Sequence, residues 1–258
     1  MYSLRTLHSS LPRQRTILFI IPTKGVGCLT PTITILGSDL QTLACAHTIL
    51  DESPTTLIHI IVKEAEFGLM NEGPGLLETG SWPILPESWL SDFQFQQPGE
   101  TSTAIRRSWL EKACAIHLTS RGTIFHLLSD CSITTKDNLI TIQVKGGGHS
   151  NQQSISVDGV IDLRVKGMKH DLWEGGIRLG ELKGVGIEGV RPDFLIETWW
   201  KGEEPTGVNW LQRMQWRGKD PRRSMSDDIH NGVVIARSFL EHNDAAETLR
   251  RGVKHATS

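Results

Sequence analysis

A chain of 258 residues with 38% hydrophobic and 22% charged content has the composition of a soluble globular protein and the length for one large domain or two small ones. Its 27 basic and 29 acidic residues leave a net charge of −2, which excludes bulk electrostatic attraction to nucleic acid or to an anionic membrane. The four cysteines, Cys28, Cys45, Cys114 and Cys131, form no C-x-x-C pair, so neither a zinc ribbon nor a disulfide framework is expected. They read as buried free thiols of a reducing, cytoplasmic compartment.

Residues 1–31 hold Arg5, Arg13, Arg15 and Lys24 and no acid, the composition of a leader or a flexible N-terminal extension, with organelle targeting left open. The apolar run "ILFII" at 17–21 is too short to span a membrane, and no later run approaches the roughly 18 apolar residues that would.

From Thr32 the organisation becomes legible. "TITIL" is a β-branched apolar strand, "GSD" a turn, and Leu40, Leu43, Ala44, His47 and Leu50 recur at helical spacing. The helix stops near "DESP", because Pro54 cannot continue it, and "TLIHIIV" follows as a strand apolar enough to be buried on both faces. The order predicts a right-handed βαβ unit of a parallel sheet. Glu64, just past the second strand, stands where a dinucleotide site places the acid that binds a ribose hydroxyl.

Further along, "RRSWLEKACAIH" gives an arginine-led helix, "KGGGHSNQQ" a hairpin loop between two β-rich runs, and "VDGVIDL" a strand returning to the main sheet. Residues 164–224 place Trp173, Trp199, Trp200, Trp210 and Trp216 among glycines and charges; such a set fills a core or a subunit interface, including a homodimer contact, or lines a pocket for a planar ligand. "MSDDIHNGVVIARSFLEH" is a C-terminal helix within 225–258.

Taken together, residues 32–163 and 225–242 resemble the FAD-dependent oxidoreductases of the two-dinucleotide-binding-domain type, which include the flavin monooxygenases. The resemblance implies an α/β fold, a FAD/NAD(P)-binding Rossmann-like parallel sheet over 32–163 with an inserted β-ribbon, followed by the Trp-rich segment. It implies FAD as cofactor and redox centre, and a small-molecule substrate or redox partner. It implies roles for Gly37, Ser38, Asp39 and Leu40 under the pyrophosphate, Glu64 on the adenosine ribose, Arg107 near the phosphates and Asp220 of "GKD" on the ribityl chain. No residue is implied as the catalytic acid or base.

The glycine fingerprint of that family, G-x-G-x-x-G, is degenerate. Gly37 holds the first place, Asp39 the second and Thr42 the third. A carboxylate at the second place opposes a pyrophosphate, and at a helix start it also serves as an N-cap. A cap that leaves the turn usable favours the flavoenzyme; a carboxylate that fills the anion position favours a cofactor-free binding or scaffold module. A third reading is a metal-dependent nuclease built on Asp162 or Asp171 with the E-x-K of Glu181 and Lys183. The ten histidines show no H-x-x-x-H spacing and no G-x-S-x-G elbow occurs, so no metal site of the helical zinc kind and no serine nucleophile is expected.

Overall fold

The computed structural model describes residues 18–20, 30–68, 72–78, 81–137, 139–147, 153–164 and 171–256, the side chains of 18–20 and 244–256 excepted. The chain divides into two compact units, one built from 1–65, 119–166 and 231–258, the other from 66–118 and 167–230.

The first unit is organised by a sheet of β1 (Leu18–Ile20), β2 (Thr32–Leu36), β3 (Leu57–Ile61), β4 (Ile124–His126) and, after a ribbon, β8 (Gly159–Asp162), in spatial order β1-β8-β2-β3-β4. Strands β2, β3, β4 and β8 run parallel, and the near-continuous apolar runs of β2, β3 and β8 are buried as strands covered on both faces are. β1 alone is antiparallel.

Helix α1 (Leu40–Glu52) connects β2 to β3 and is buried from Leu40 to Leu50. Ser53 closes it by donating its backbone N–H to Ile49 O at 2.7 Å, and Pro54 prevents another turn. The ribbon β5 (Ser129–Lys136), β6 (Leu139–Gly146), β7 (Gln153–Val157) packs Ile140, Ile142, Val144, Ile155 and Val157 on Leu36, Ile61 and Val160 of the main sheet. Residues 148–152 of the expected hairpin loop lie outside the described residues, while β6 and β7 pair antiparallel on either side of it.

The second unit holds most of helix α2 (Arg107–Ser120) and a four-stranded antiparallel sheet of β9 (Leu172–Arg178), β10 (Ile187–Val190), β11 (Ile196–Trp200) and β12 (Trp210–Arg217), ordered β10-β11-β9-β12. One face buries Trp199 completely against Leu76, Ala104, Ile177 and Met214. On the other, Trp210 lies over Gly176, where a Cβ would come 2.3 Å from the indole, and stacks on Trp200 with centroids 4.9 Å apart. Trp216 meets Trp199 edge-on and Trp173 lies under the Lys201 ammonium; Trp199 and Trp200 are buried, while Trp173, Trp210 and Trp216 are half-buried. Helix α3 (Ser224–Ala256) ends the chain; in the first unit it meets α1 at Gly232, beside Gln41 and Ala44, and sets Phe239 over Gly159 of β8.

Cys45 and Cys114 are buried as expected, but Cys131 is only half-buried, because it sits on the ribbon rather than in the core; Cys28 lies outside the described residues. No described helix is long and apolar enough to cross a membrane.

Candidate functional site

In an open parallel sheet, ligands bind beyond the carboxyl ends of the strands where the order reverses, here between β2 and β8. The turn from β2 into α1 occupies that place. Its geometry follows from three side chains. Asp39 is the N-cap with φ −116° and ψ 174°, an extended backbone open to any residue, so the second fingerprint position does not demand glycine. Its Oδ1 accepts from the Thr42 backbone N–H at 2.9 Å and from Thr42 Oγ1 at 2.8 Å. Thr42, fully buried, turns its hydroxyl toward Gly37, where an added Cβ would lie 2.2 Å from Oγ1. Gly37 is therefore required for space, and the space it leaves is filled by Thr42.

Capping and filling the anion position are here the same act. The Thr42 N–H lies at the helix start where a phosphate is bound, and it already donates to the Asp39 carboxylate at 2.9 Å and to Asp39 O at 3.0 Å. The surroundings add to this. At the same ends of β2, β3 and β8, and at the start of β5, stand the carboxylates of Asp39, Glu64, Asp130 and Asp162 against the bases Lys63 and Arg164. Lys63 is held by Asp130 at 2.9 Å and Arg164 by Asp162 at 2.7 Å. The Lys63 hydrogen bond, then the Cys131 N–H, hold the Asp130 carboxyl below the usual range. The residues present do not fit a pyrophosphate bound at this turn. Charge also reaches the core: burial first and Asp39 second push the Cys45 thiol up, leaving it inert.

The other residues implied by the resemblance are placed as follows. Glu64 follows β3, half-buried, its backbone O accepting from Leu128 N at 3.0 Å; Leu36 and Ile61 are in register, so the structure brings Glu64 and Gly37 to neighbouring strand ends. Arg107 lies in the second unit. The resemblance implies a place near the phosphates, whereas Arg107 is 5% exposed and engaged by three partners. Its Nε donates to Glu111 Oε1 at 2.9 Å, Nη1 to Ser224 Oγ at 2.7 Å and Nη2 to Asp228 Oδ2 at 2.6 Å. Burial alone would lower its pKa; Asp228 and Glu111 outweigh it and hold the guanidinium charged. Asp220, also in the second unit, caps the short turn Pro221–Arg223: Oδ1 accepts from Arg222 N at 3.0 Å and Oδ2 from Arg222 Nη2 at 2.7 Å. That pairing with Arg222 holds its carboxyl low. Arg222 thus makes "GKDPRR" a self-satisfied cap.

The nuclease arrangement does not assemble. Asp162 is bound by Arg164 and Asp171 by Lys201; Glu181 contributes its backbone O to Arg178, and Lys183 gives its backbone N–H to Glu188. Among the described residues no three His, Cys, Asp or Glu gather as metal ligands.

Two polar clusters were missed. His59 of β3 and His126 of β4 share a hydrogen bond, Nδ1 to Nε2, at 3.0 Å. Their ring centroids are 5.3 Å apart, so the two nitrogens lie close to the line joining the rings, the head-on geometry of a shared proton. The apolar pattern of "TLIHIIV" hid this pair, since only the strand register brings the two together. In the second unit Glu197 is completely buried, accepting from Arg191, Trp199 Nε1 and Gly75 N. Buried charge of this kind is tolerated only when every oxygen is satisfied.

No protein-family model matches the chain, and no curated protein matches it in sequence. Solved structures do. A flavoprotein/dehydrogenase from Cytophaga hutchinsonii aligns at TM-score 0.52 and 9% identity over 84% of this chain and 79% of its own. A geranylgeranyl bacteriochlorophyll reductase-like protein from Thermoplasma acidophilum aligns at 0.52 and 10% identity over 88% and 84%. The chain carries the fold of these two structures. AlpK aligns at TM-score 0.50 and 10% identity over 80% of this chain, which spans only 62% of AlpK's length. At these identities the likeness is one of fold, and the flavoprotein fold here surrounds a turn whose side chains satisfy one another.

Proposed function

We propose that this chain uses the flavoprotein fold as a binding module and does not hold FAD at its first turn. The observation that carries the reading is the Asp39 carboxylate on the Thr42 N–H and hydroxyl, which takes a helix-start donor and adds negative charge where a pyrophosphate would lie. The internal pairing of Arg107 with Asp228 and of Asp220 with Arg222 supports it, since each would have to surrender a charged partner to meet a ligand.

A second reading, an FAD-dependent oxidoreductase with a weakened site, is favoured by Gly37 and Glu64 standing at the ends of in-register neighbouring strands. The two separate on one experiment. FAD binding is followed by flavin fluorescence for the wild-type chain and for Asp39→Gly combined with Thr42→Gly. Weak or absent binding that the double variant improves by tens of fold supports the module and its cause. Equal binding in both chains removes Asp39 as the reason, and tight binding by the wild type establishes the flavoprotein.

A further inference from the structure

We propose that one end of the second unit's sheet is a membrane-contacting surface, where Phe194, Leu179, Leu182 and Leu211 enter the interface of a zwitterionic lipid layer. The strand register fixes the place. Val190, Ile196, Arg178 and Trp210 form one row across β10, β11, β9 and β12. The β10–β11 turn with Phe194 and the first residue after β9, Leu179, lie just beyond that row, and Leu211 is the bulge residue beside it. Arg178 donates to Glu181 O at 2.6 Å, which keeps Leu182 near the same row. Phe194 is 82% exposed, Leu179 67%, and Leu182 and Leu211 56% each, against at most 45% for the other large apolar side chains of this unit among the described residues.

Phe194 is displayed at a cost. Its φ of +63° is in the left-handed region that glycine favours and a bulky residue avoids, and so exposed a ring recovers little of that strain by packing within the chain. Two features select a lipid surface as the occupant. The backbone of these loops is already satisfied: Arg191 N donates to Leu195 O at 2.8 Å, Phe194 N to Arg191 O at 2.9 Å and Leu195 N to Asp193 Oδ1 at 3.1 Å. Pro192 O accepts from Gln96 Nε2, and Lys183 N and Gly184 N donate to Glu188 Oε2. A segment entering lipid needs its polar backbone paired in this way, whereas a partner that adds a strand needs it free. Charge is the second feature. Glu181 cancels Lys183 and Arg191 cancels Asp193, and residues 208–211 carry none, so this end offers no net charge to an acidic or basic partner and matches a headgroup layer that has none. The buried pairs Arg191–Glu197 and Arg178–Glu188 hold both loops in place.

Co-sedimentation of the full-length chain with phosphatidylcholine vesicles tests this. The wild type should pellet with the vesicles, and adding phosphatidylserine to them should not strengthen the binding. Phe194→Gly with Leu179→Ser should weaken it by on the order of tenfold or more. Phe194→Gly alone separates contact from folding: glycine adopts this backbone freely, so the thermal midpoint should not fall while vesicle binding does. A wild type that stays in the supernatant, a double variant that pellets as well as the wild type, or binding that requires phosphatidylserine overturns the proposal. So does a midpoint lowered by Phe194→Gly, which would give the ring a role in folding. A wild-type dimer in sedimentation velocity that Phe194→Gly dissociates would assign this end to a second copy of the chain, and that too overturns it.

Discussion

Replacing Asp39 by alanine removes two hydrogen bonds at once, the cap on the Thr42 N–H and the acceptor for the buried Thr42 hydroxyl. Loss of an N-cap costs about 1 kcal/mol, and a buried hydroxyl left without an acceptor costs about 1–3 kcal/mol. Asp39→Ala should therefore destabilise the first unit by about 2–4 kcal/mol. Thr42→Val keeps the volume and removes the hydroxyl, at about 1 kcal/mol. The double variant no longer strands a hydroxyl, so it should be more stable than the sum predicts by about 1–2 kcal/mol. Urea unfolding followed by circular dichroism reads all four chains; with a slope near 3 kcal/mol per M, the Asp39→Ala midpoint falls by about 1 M. Asp39→Asn, which retains an acceptor, should lose less. Additive effects of the two substitutions would refute the account of this turn, because the carboxylate and the hydroxyl would then not be partners.

The His59–His126 pair predicts a pH dependence. His59 has its pKa lowered to about 4 by burial first and by the His126 charge second, so the unfolded chain takes up a proton more readily than the folded one. Its stabilisation is present above the ordinary pKa of 6.5 and is lost as pH falls from there toward 4, by up to about 3 kcal/mol. Unfolding at pH 7 and pH 4.5 should show this loss in the wild type and much less of it in His59→Phe; equal losses would dismiss the pair. Arg107→Met leaves Glu111 and Asp228 without their shared cation and should lower stability by about 3–5 kcal/mol, with Arg107→Lys recovering part; a thermal midpoint unmoved by either would mean the buried network carries no weight. Gly176→Ala should push Trp210 off Trp200 and abolish their stacking signal in near-ultraviolet circular dichroism, and an unchanged spectrum would place the stack elsewhere.

Local patterning was enough to find β2, α1, β3, the arginine-led helix and the C-terminal helix, because their apolar periodicity and breakers act over a few residues: Thr32–Leu36 is uniformly β-branched or leucine, and Pro54 ends α1 where expected. The fate of "ILFII" was not legible there. Nothing local says that Leu18–Ile20 pairs with Val160–Asp162 some 140 residues away. The site was legible in kind but not in state. Sequence placed Asp39 at the second fingerprint position, whereas whether a cap leaves the turn usable depended on which donor it takes, and that is Thr42, the residue standing in for the third glycine. The burial of Arg107 was not legible for a similar reason: its partners Ser224 and Asp228 come from a helix far along the chain, so it cannot be inferred from the helix start alone.

The most direct test of the central claim is the absorbance of the purified wild-type chain between about 350 and 500 nm, with the chromophore released by heat and identified by mass. The account predicts a colourless protein that also fails to saturate with added FAD at micromolar concentration, since a carboxylate about 4 Å from a phosphate charge costs roughly 1–4 kcal/mol. A yellow protein carrying stoichiometric FAD would contradict it.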